Sequence, residues 1–378
     1  MRTQQVNEVY NIMSLRFHLC FLVLFVVFLI TPTHCLGHQC LPKQHVALFI
    51  FRDSLVDAGN NNYINSTTEV QANYGPYGET FFKYPTGRFS NGRIIPDFIA
   101  EFANLPFITP YLYPGYHQYT DGANFASAGA GALIETHQGL VIDLKTQLQY
   151  FKKLEKLLRE KLGVAETKTL LARAVYLINI GFYDYGVLLF TTNSSASKLP
   201  SRRIRRYGDS QLDKCDQRGR KFVIPNLGPF GCLPFARALN MALGNIGARL
   251  QEVNPIVKLH NEALSKVLQE LEGELNGFKY SIVNSYTYLS EIIHKPSKYG
   301  FKESRIACCG IGPYRGMFSC GGKRSIKEYK LCENVSDYVF FDSIHPSEKA
   351  SQQFVELMWN GTPNITGPYN LKEFFENK

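Results

Sequence analysis

Six consecutive apolar residues, Val46-Ala47-Leu48-Phe49-Ile50-Phe51, end in a polar turn, Arg52-Asp53-Ser54. An unbroken apolar run bounded by turn residues reads as a strand buried on both faces, the kind a parallel sheet needs between two helical layers. A serine just beyond the carboxyl end of such a strand stands where open α/β sheets place their ligands. Similar runs recur. Ala174 to Ile180 ends in Gly181-Phe182-Tyr183-Asp184, Lys221 to Pro225 runs into Asn226-Leu227-Gly228-Pro229, and Phe278 to Asn284 is a further strand. Helical patterns lie between and around them: Ile94 to Ala103, Leu144 to Leu162, Glu166 to Arg173, Leu250 to Leu275, Tyr286 to His294 and Ser347 to Trp359. In the second of these, Leu148, Phe151, Leu154, Leu158 and Leu162 fall at spacings of three and four, one apolar stripe of a surface helix. Alternating strands and helices predict an α/β fold with a mostly parallel sheet covered on both faces.

The N-terminus does not belong to that pattern. Leu19 to Ile30 is an uninterrupted apolar run preceded by Arg2 and Arg16, with Cys35-Leu36-Gly37 supplying small residues for cleavage. Twelve apolar residues are too few to span a bilayer but suit a signal-peptide core, so residues 1–37 are read as a signal and the chain as secreted. With no linker or internal repeat beyond it, 38–378 reads as one domain. Five N-x-[ST] sequons, at Asn65, Asn193, Asn334, Asn360 and Asn364, agree with export as glycosylation acceptors. Removing Cys20 and Cys35 with the signal leaves seven of the nine cysteines. Cys308, Cys309, Cys320 and Cys332 cluster late and are expected to form disulfides that pin the loop before the last helix. Zinc ligation fits less well, because adjacent Cys308 and Cys309 lack the usual ligand spacing. The formal net charge of +9 would suit a nucleic-acid or membrane-surface binder, but the excess is concentrated around Arg202 to Arg218 and export argues against it.

A serine becomes a nucleophile when a base takes its proton and a third group orients that base. His345 is the candidate base, and Asp342, three residues earlier in Asp342-Ser343-Ile344-His345-Pro346, can fix its tautomer from the same turn. This turn follows the short apolar run Tyr338 to Phe341. His117 and His137 fall in loops; His260 and His294 lie on helices and read as partly exposed side chains. Residues 73–92, rich in Gly, Pro and aromatics, form an ordered loop, and the small-residue run from Gly122 to Ala132 lets backbone approach a neighbour or ligand closely. No phosphate-binding loop is present in the sequence, since the Gly/Ala run lacks a following Gly-Lys-Ser/Thr.

Together these stretches resemble the plant GDSL esterase/lipase family of SGNH hydrolases. Phe51-Arg52-Asp53-Ser54-Leu55-Val56-Asp57-Ala58-Gly59-Asn60-Asn61-Asn62-Tyr63 resembles its first block, and Gly122 to Gly129 its second. Ile180 to Tyr185 stands at its third, and Phe341 to Pro346 resembles its last; Leu227 to Pro234 and Cys308-Cys309-Gly310 are similar to family stretches too. The resemblance implies a flavodoxin-like three-layer α/β/α sandwich and a secreted hydrolase of small-molecule or lipid esters, without metal or other cofactor. It implies Ser54 as nucleophile, His345 as base and Asp342 as its orienter. The oxyanion would be held by the backbone N–H of Ser54, that of Gly129 (Gly122 as the alternative) and a third-block side chain.

Three departures stand out. Arg52 replaces the family glycine before Asp-Ser, and Tyr183 replaces the third-block asparagine. A cation beside the nucleophile must reach water or an anion, and it is strained if the backbone needs a positive φ. The third departure is Arg202 to Arg218, a basic stretch with little apolar pattern where the family has an amphipathic helix. Suitably back-translated and read one base later, it encodes EEYVGMVIVNLTNVIK in one-letter code, a helix of the family's kind. Segment 202–218 is therefore read as frame-shifted, and a transcript whose frame encodes these residues as written rejects that reading. Arg52 and Tyr183 also motivate an alternative: a catalytically impaired family member acting as a secreted binding or structural protein.

Overall fold

The computed structural model describes residues 45–132, 136–179, 181–185, 219–242, 244 and 248–376. The signal-peptide reading, the sequon at Asn193 and the segment 202–218 lie outside the described residues. A six-stranded sheet forms the centre, in the order β2-β1-β3-β4-β5-β8. Its strands are β1 (Leu48–Phe51), β2 (Gly122–Asn124), β3 (Val175–Ile178), β4 (Lys221–Pro225), β5 (Lys279–Val283) and β8 (Thr366–Pro368). The first five pair parallel, and β8 closes the edge antiparallel to β5. A separate two-stranded ribbon joins β6 (Cys309–Gly310) to β7 (Lys330–Leu331).

The apolar runs are buried on both faces, with successive residues parting to opposite sides as strand geometry demands. Leu48, Ile50, Val175, Leu177 and Val223 point into one core. Ala47, Phe49, Phe51, Tyr176, Phe222 and Ile224 point into the other. The first core is closed by helices α1 (Ile95–Phe102), α6 (Ser285–His294), α7 (Glu348–Asn360) and α8 (Leu371–Glu376). The second is closed by α2 (Leu144–Leu162), α3 (Val164–Arg173) and α5 (Ala248–Glu274). This is the expected α/β/α sandwich, with the 2-1-3-4-5 strand order of flavodoxin-like sheets. Helix α2 begins where its sequence predicts, because Asp143 caps it by accepting from the Thr146 N–H at 2.8 Å.

Some elements differ from expectation. Helix α4 (Pro234–Ala242), α8 and the edge strand β8 are additional. The apolar run Tyr338 to Phe341 stays outside the sheet, held by isolated bridges Glu303 to Tyr338 and Phe340 to Pro346. His260 is buried, not partly exposed. It lies on the same stripe of α5 as Val253, Val257, Leu264, Leu268 and Leu271, and its Nδ1 is 3.0 Å from the Tyr185 hydroxyl. Burial pulls its pKa down to about 4, so it is a neutral core side chain.

Candidate active site

The switch point of a 2-1-3-4-5 sheet lies between β1 and β3, where connections leave in opposite directions and open a crevice at the strands' carboxyl ends. Ser54 follows β1 at that point. The turn is closed by the Val56 N–H donating to the Asp53 carbonyl at 3.2 Å, while the Asp53 carboxylate accepts from the Leu55 N–H at 3.1 Å and Asn179 Nδ2 at 2.7 Å. Burial raises Asp53 to about 6 against the pull of these donors.

The second turn comes from the other end of the chain. The Phe341 N–H donates to the His345 carbonyl at 2.8 Å, folding 341–345 back on itself. Asp342 Oδ1 accepts from the backbone N–H groups of Ile344 at 2.9 Å and His345 at 2.7 Å, and from His345 Nδ1 at 2.8 Å. Because a carboxylate only accepts, Nδ1 carries the proton and Nε2 presents a lone pair. Nε2 lies 2.7 Å from Ser54 Oγ. The imidazole ring rests on Phe89 at 4.7 Å between centroids. Burial alone would push the Asp342 carboxyl up; the charge and hydrogen bonds of His345, with Arg324 nearby, more than reverse this and hold it well below the usual range. Ser54, His345 and Asp342 are each at most 4% exposed, so water competes little for these bonds.

The structure therefore brings Ser54, His345 and Asp342 into one hydrogen-bonded chain. Tyr183, on a helical turn beyond β3, places its hydroxyl 3.0 Å from Ser54 Oγ. With Oγ donating to Nε2, the phenol donates to Oγ. Burial raises the Tyr183 pKa, keeping it a neutral donor. Gly129 sits in the turn from Ser127 to Ala130 at φ 87, a conformation that suits glycine. The N–H groups of Ser54 and Gly129 have no protein acceptor among the described residues. Gly122 is placed elsewhere: it pairs with Leu48 at the amino end of β1, and its N–H donates to the Tyr119 carbonyl at 3.2 Å.

Arg52 adopts φ 101, the positive φ foreseen for a glycine position, and is buried, 2% exposed, with its charge acting on the neighbouring Asp53 carboxylate. Its guanidinium donates to the Gly131 carbonyl. Its N–H donates to Gln147 Oε1 at 2.8 Å, and its carbonyl accepts from the Ser127 N–H at 2.5 Å. Helix α2 and the small-residue turn thus clamp the residue two before the serine.

Several further residues that shape the site were given no individual role from the sequence. Asp57 accepts from the Ala128 N–H at 2.9 Å, and Asn61 Nδ2 donates to the Ala128 carbonyl at 2.9 Å, so the first block holds the second in register. His137, set aside above as a loop residue, donates from Nδ1 to the Gly129 carbonyl at 2.8 Å and packs edge-on against Tyr183 at 5.6 Å. Tyr77 donates to Asp342 Oδ2 at 2.7 Å. The late cysteines pair as Cys308–Cys332 and Cys309–Cys320, with Cys232 free. Asn65, Asn334, Asn360 and Asn364 are exposed.

A cavity of about 200 Å³ lies over the Asp342–His345 pair, lined also by Tyr183, His137, Phe89 and Arg324 among others. A second, apolar cavity of about 120 Å³ adjoins it, and Phe182, Phe230, Leu233 and Ile344 line both. A flavodoxin-like sheet with a serine–histidine–aspartate chain at its switch point defines a serine hydrolase of the α/β class. Residues 48–358 match the family model described as GDSL-like lipase/acylhydrolase, and the chain belongs to that family. It is similar to GDSL esterase/lipase 1 of Arabidopsis thaliana, at 49% identity over 94% of this chain and 97% of that protein. It is also similar to GDSL esterase/lipase 2 of the same plant, at 48% over 89% and 91%, and to GDSL lipase of Tanacetum cinerariifolium, at 46% over 93% of each.

Proposed function

We propose that this GDSL hydrolase is a secreted serine esterase that cleaves carboxylic, lipid-like esters through an acyl-enzyme. The observation that carries this reading is the 2.7 Å contact of Ser54 Oγ with His345 Nε2, while Nδ1 is held by Asp342. Oγ attacks the ester carbonyl as its proton passes to Nε2. The imidazolium that forms is stabilised by Asp342, which stays ionised. The developing oxyanion is met by the N–H groups of Ser54 and Gly129 and by the Tyr183 hydroxyl, the groups whose positions the family pattern assigns to that task. His345 then returns the proton to the leaving alcohol, and a water activated by the same Nε2 releases the acid. The apolar cavity beside the triad, with Leu55, Leu227 and Leu289 on its wall, suits an acyl chain.

Secretion is supported by the Leu19 to Ile30 run and its basic flank, and by sequons at exposed positions. Among the described residues no helix is long and apolar enough to cross a membrane. The purified chain should hydrolyse p-nitrophenyl acyl esters and lose that activity in Ser54→Ala; turnover unchanged by the substitution rejects the reading. A second reading, an impaired binding protein, draws on Arg52 at φ 101 and on a phenol in place of a carboxamide at Tyr183. Absence of turnover in the wild type, with activity appearing in the Arg52→Gly, Tyr183→Asn double variant, would favour it.

A further inference from the structure

Asp342 has two oxygens, and they are supported differently. Oδ1 is saturated from within its own turn by Ile344 and His345. Oδ2, apart from a shared contact with His345 Nδ1 at 2.9 Å, is held by one donor from far away in sequence, the Tyr77 hydroxyl at 2.7 Å. That phenol in turn accepts from Arg324 Nη2 at 3.2 Å. Tyr77 is 0% exposed and Arg324 3% exposed.

A buried guanidinium is costly unless an opposite charge answers it. Among the described residues no ion pair within 4.0 Å is formed by Arg324; it donates from Nε to the Thr68 carbonyl at 3.4 Å and also interacts with the Tyr74 hydroxyl. The buried anion that answers its charge is Asp342, reached through the phenol; Glu69 stands at the exposed rim of the same cavity. Hydrogen bonds to an ionised acceptor are the strong ones, and each member of such a chain polarises the next.

The chain is also held mechanically. Arg324 lies in the segment between Cys320 and Cys332, and both ends of that segment are tied by disulfides to the adjacent pair Cys308-Cys309. Gly321 docks the segment on the loop that carries Tyr77: a Cβ there would lie 2.6 Å from the Gly75 carbonyl oxygen and from the Tyr74 ring. The Tyr77 ring is fixed by Tyr74, Phe89 and Phe341, with centroids 5.4–5.7 Å away.

We propose that Tyr77 and Arg324 are positioning residues of the triad: Arg324 orients the phenol, the phenol holds Asp342 Oδ2, and together they set the basicity of His345. This rests on the serine-hydrolase reading for its consequence in turnover, but the effect on the imidazole does not need turnover. The ionisable and charged groups facing His345 are Asp342, Tyr183 and Arg324, with Tyr77 behind Asp342 and Asp53, His137 and Glu69 further out. Loss of the phenol leaves more negative charge on Asp342 to stabilise the imidazolium. Loss of Arg324 leaves the phenol without the donor that aims it at Asp342 Oδ2, with the same result at the carboxylate. Both changes raise the pH at which His345 titrates.

The test follows His345 in protein with 13C-labelled histidine, alongside the pH dependence of kcat/KM, for Tyr77→Phe, Arg324→Met, Arg324→Lys and the Phe/Met double variant. Tyr77→Phe and Arg324→Met should each move the His345 midpoint and the acid limb upward by about 0.5–1 in pH, the size expected for one charge-assisted contact in a buried site. Tyr77→Phe should lower kcat about tenfold with KM unchanged, because Asp342 without its Oδ2 donor no longer holds the imidazole in line with Ser54 Oγ, a misplacement that outweighs the gain in basicity. The double variant should be no more than about twofold worse than the worse single variant, because Arg324 acts through the phenol. Arg324→Lys, which keeps the charge, should recover most of the shift. A His345 midpoint unmoved in folded Tyr77→Phe, or single effects that multiply in the double variant, overturns the proposal. If the wild type shows no turnover, the esterase reading falls while the imidazole titration still decides this one.

Discussion

On the base side of the site, every acceptor position of Asp342 is filled by a donor at 2.7–2.9 Å, and His345 has one face on Phe89. On the oxyanion side, the third-block donor is a phenol lying on the nucleophile at 3.0 Å, and the clamp behind Ser54 is an arginine held at φ 101. The base side is local, since a four-residue turn supplies most of its bonds. The oxyanion side is assembled from β1, the turn at 127–130 and the turn after β3, and the departures at Arg52 and Tyr183 fall there. Under the proposed mechanism, proton transfer from Ser54 has its full set of partners in place, whereas stabilisation of the oxyanion depends on how well a phenol replaces a carboxamide.

That contrast can be broken from the base side first. Asp342→Asn should lower kcat by about 10⁴-fold, since the amide favours the wrong imidazole tautomer. Steady-state kinetics on a chromogenic ester checks it, and a loss under tenfold would mean that the turn alone orients His345. On the oxyanion side, Tyr183→Phe should cost about 10²-fold in kcat, the scale of one lost donor. An unchanged rate would show that Tyr183 gives nothing to the transition state. The Arg52→Gly, Tyr183→Asn pair should raise kcat, by about tenfold, because a donor spent on Oγ in the ground state is partly wasted; a fall would make the departures adaptive.

The smallest effect is on stability. Asp53 has its pKa raised by burial to about 6 from an ordinary 3.8, so the folded state holds a proton that the unfolded chain releases. The stability this confers is fully present below about pH 4 and is lost as pH rises through about 6. Asp53→Asn cannot titrate, so its thermal midpoint should fall less than that of the wild type between pH 4 and 6. Parallel curves would show that Asp53 is already ionised.

The parts of the molecule legible from sequence are those where one physical period acts alone. Leu48 to Phe51 and Val175 to Ile178 are buried on both faces, so their apolar runs announce a parallel sheet. The Ser54 and Asp342–His345 turns are short, and their polar residues at strand or run ends mark them out. His260, read from the sequence as partly exposed, is the counter-example: it shares the buried stripe of α5 with Val257 and Leu264, and that spacing outweighs the polarity on which the reading relied. Strand β8 was not legible, because Thr366-Gly367-Pro368 has no apolar pattern and forms only by pairing with the edge of β5. Tyr77 and Arg324 were not either, since their contact depends on the path of an aperiodic loop and on which cysteines pair.

The central claim is that Ser54 is activated by His345, and covalent labelling reads it most directly. The account predicts that an alkyl phosphonate probe, reacted with the purified chain near neutral pH and analysed by peptide mass spectrometry, modifies Ser54. It further predicts that Ser54→Ala and His345→Ala abolish the adduct, while Tyr183→Phe only slows it. Labelling that is absent from Ser54, or that persists at the same rate in His345→Ala, would contradict it.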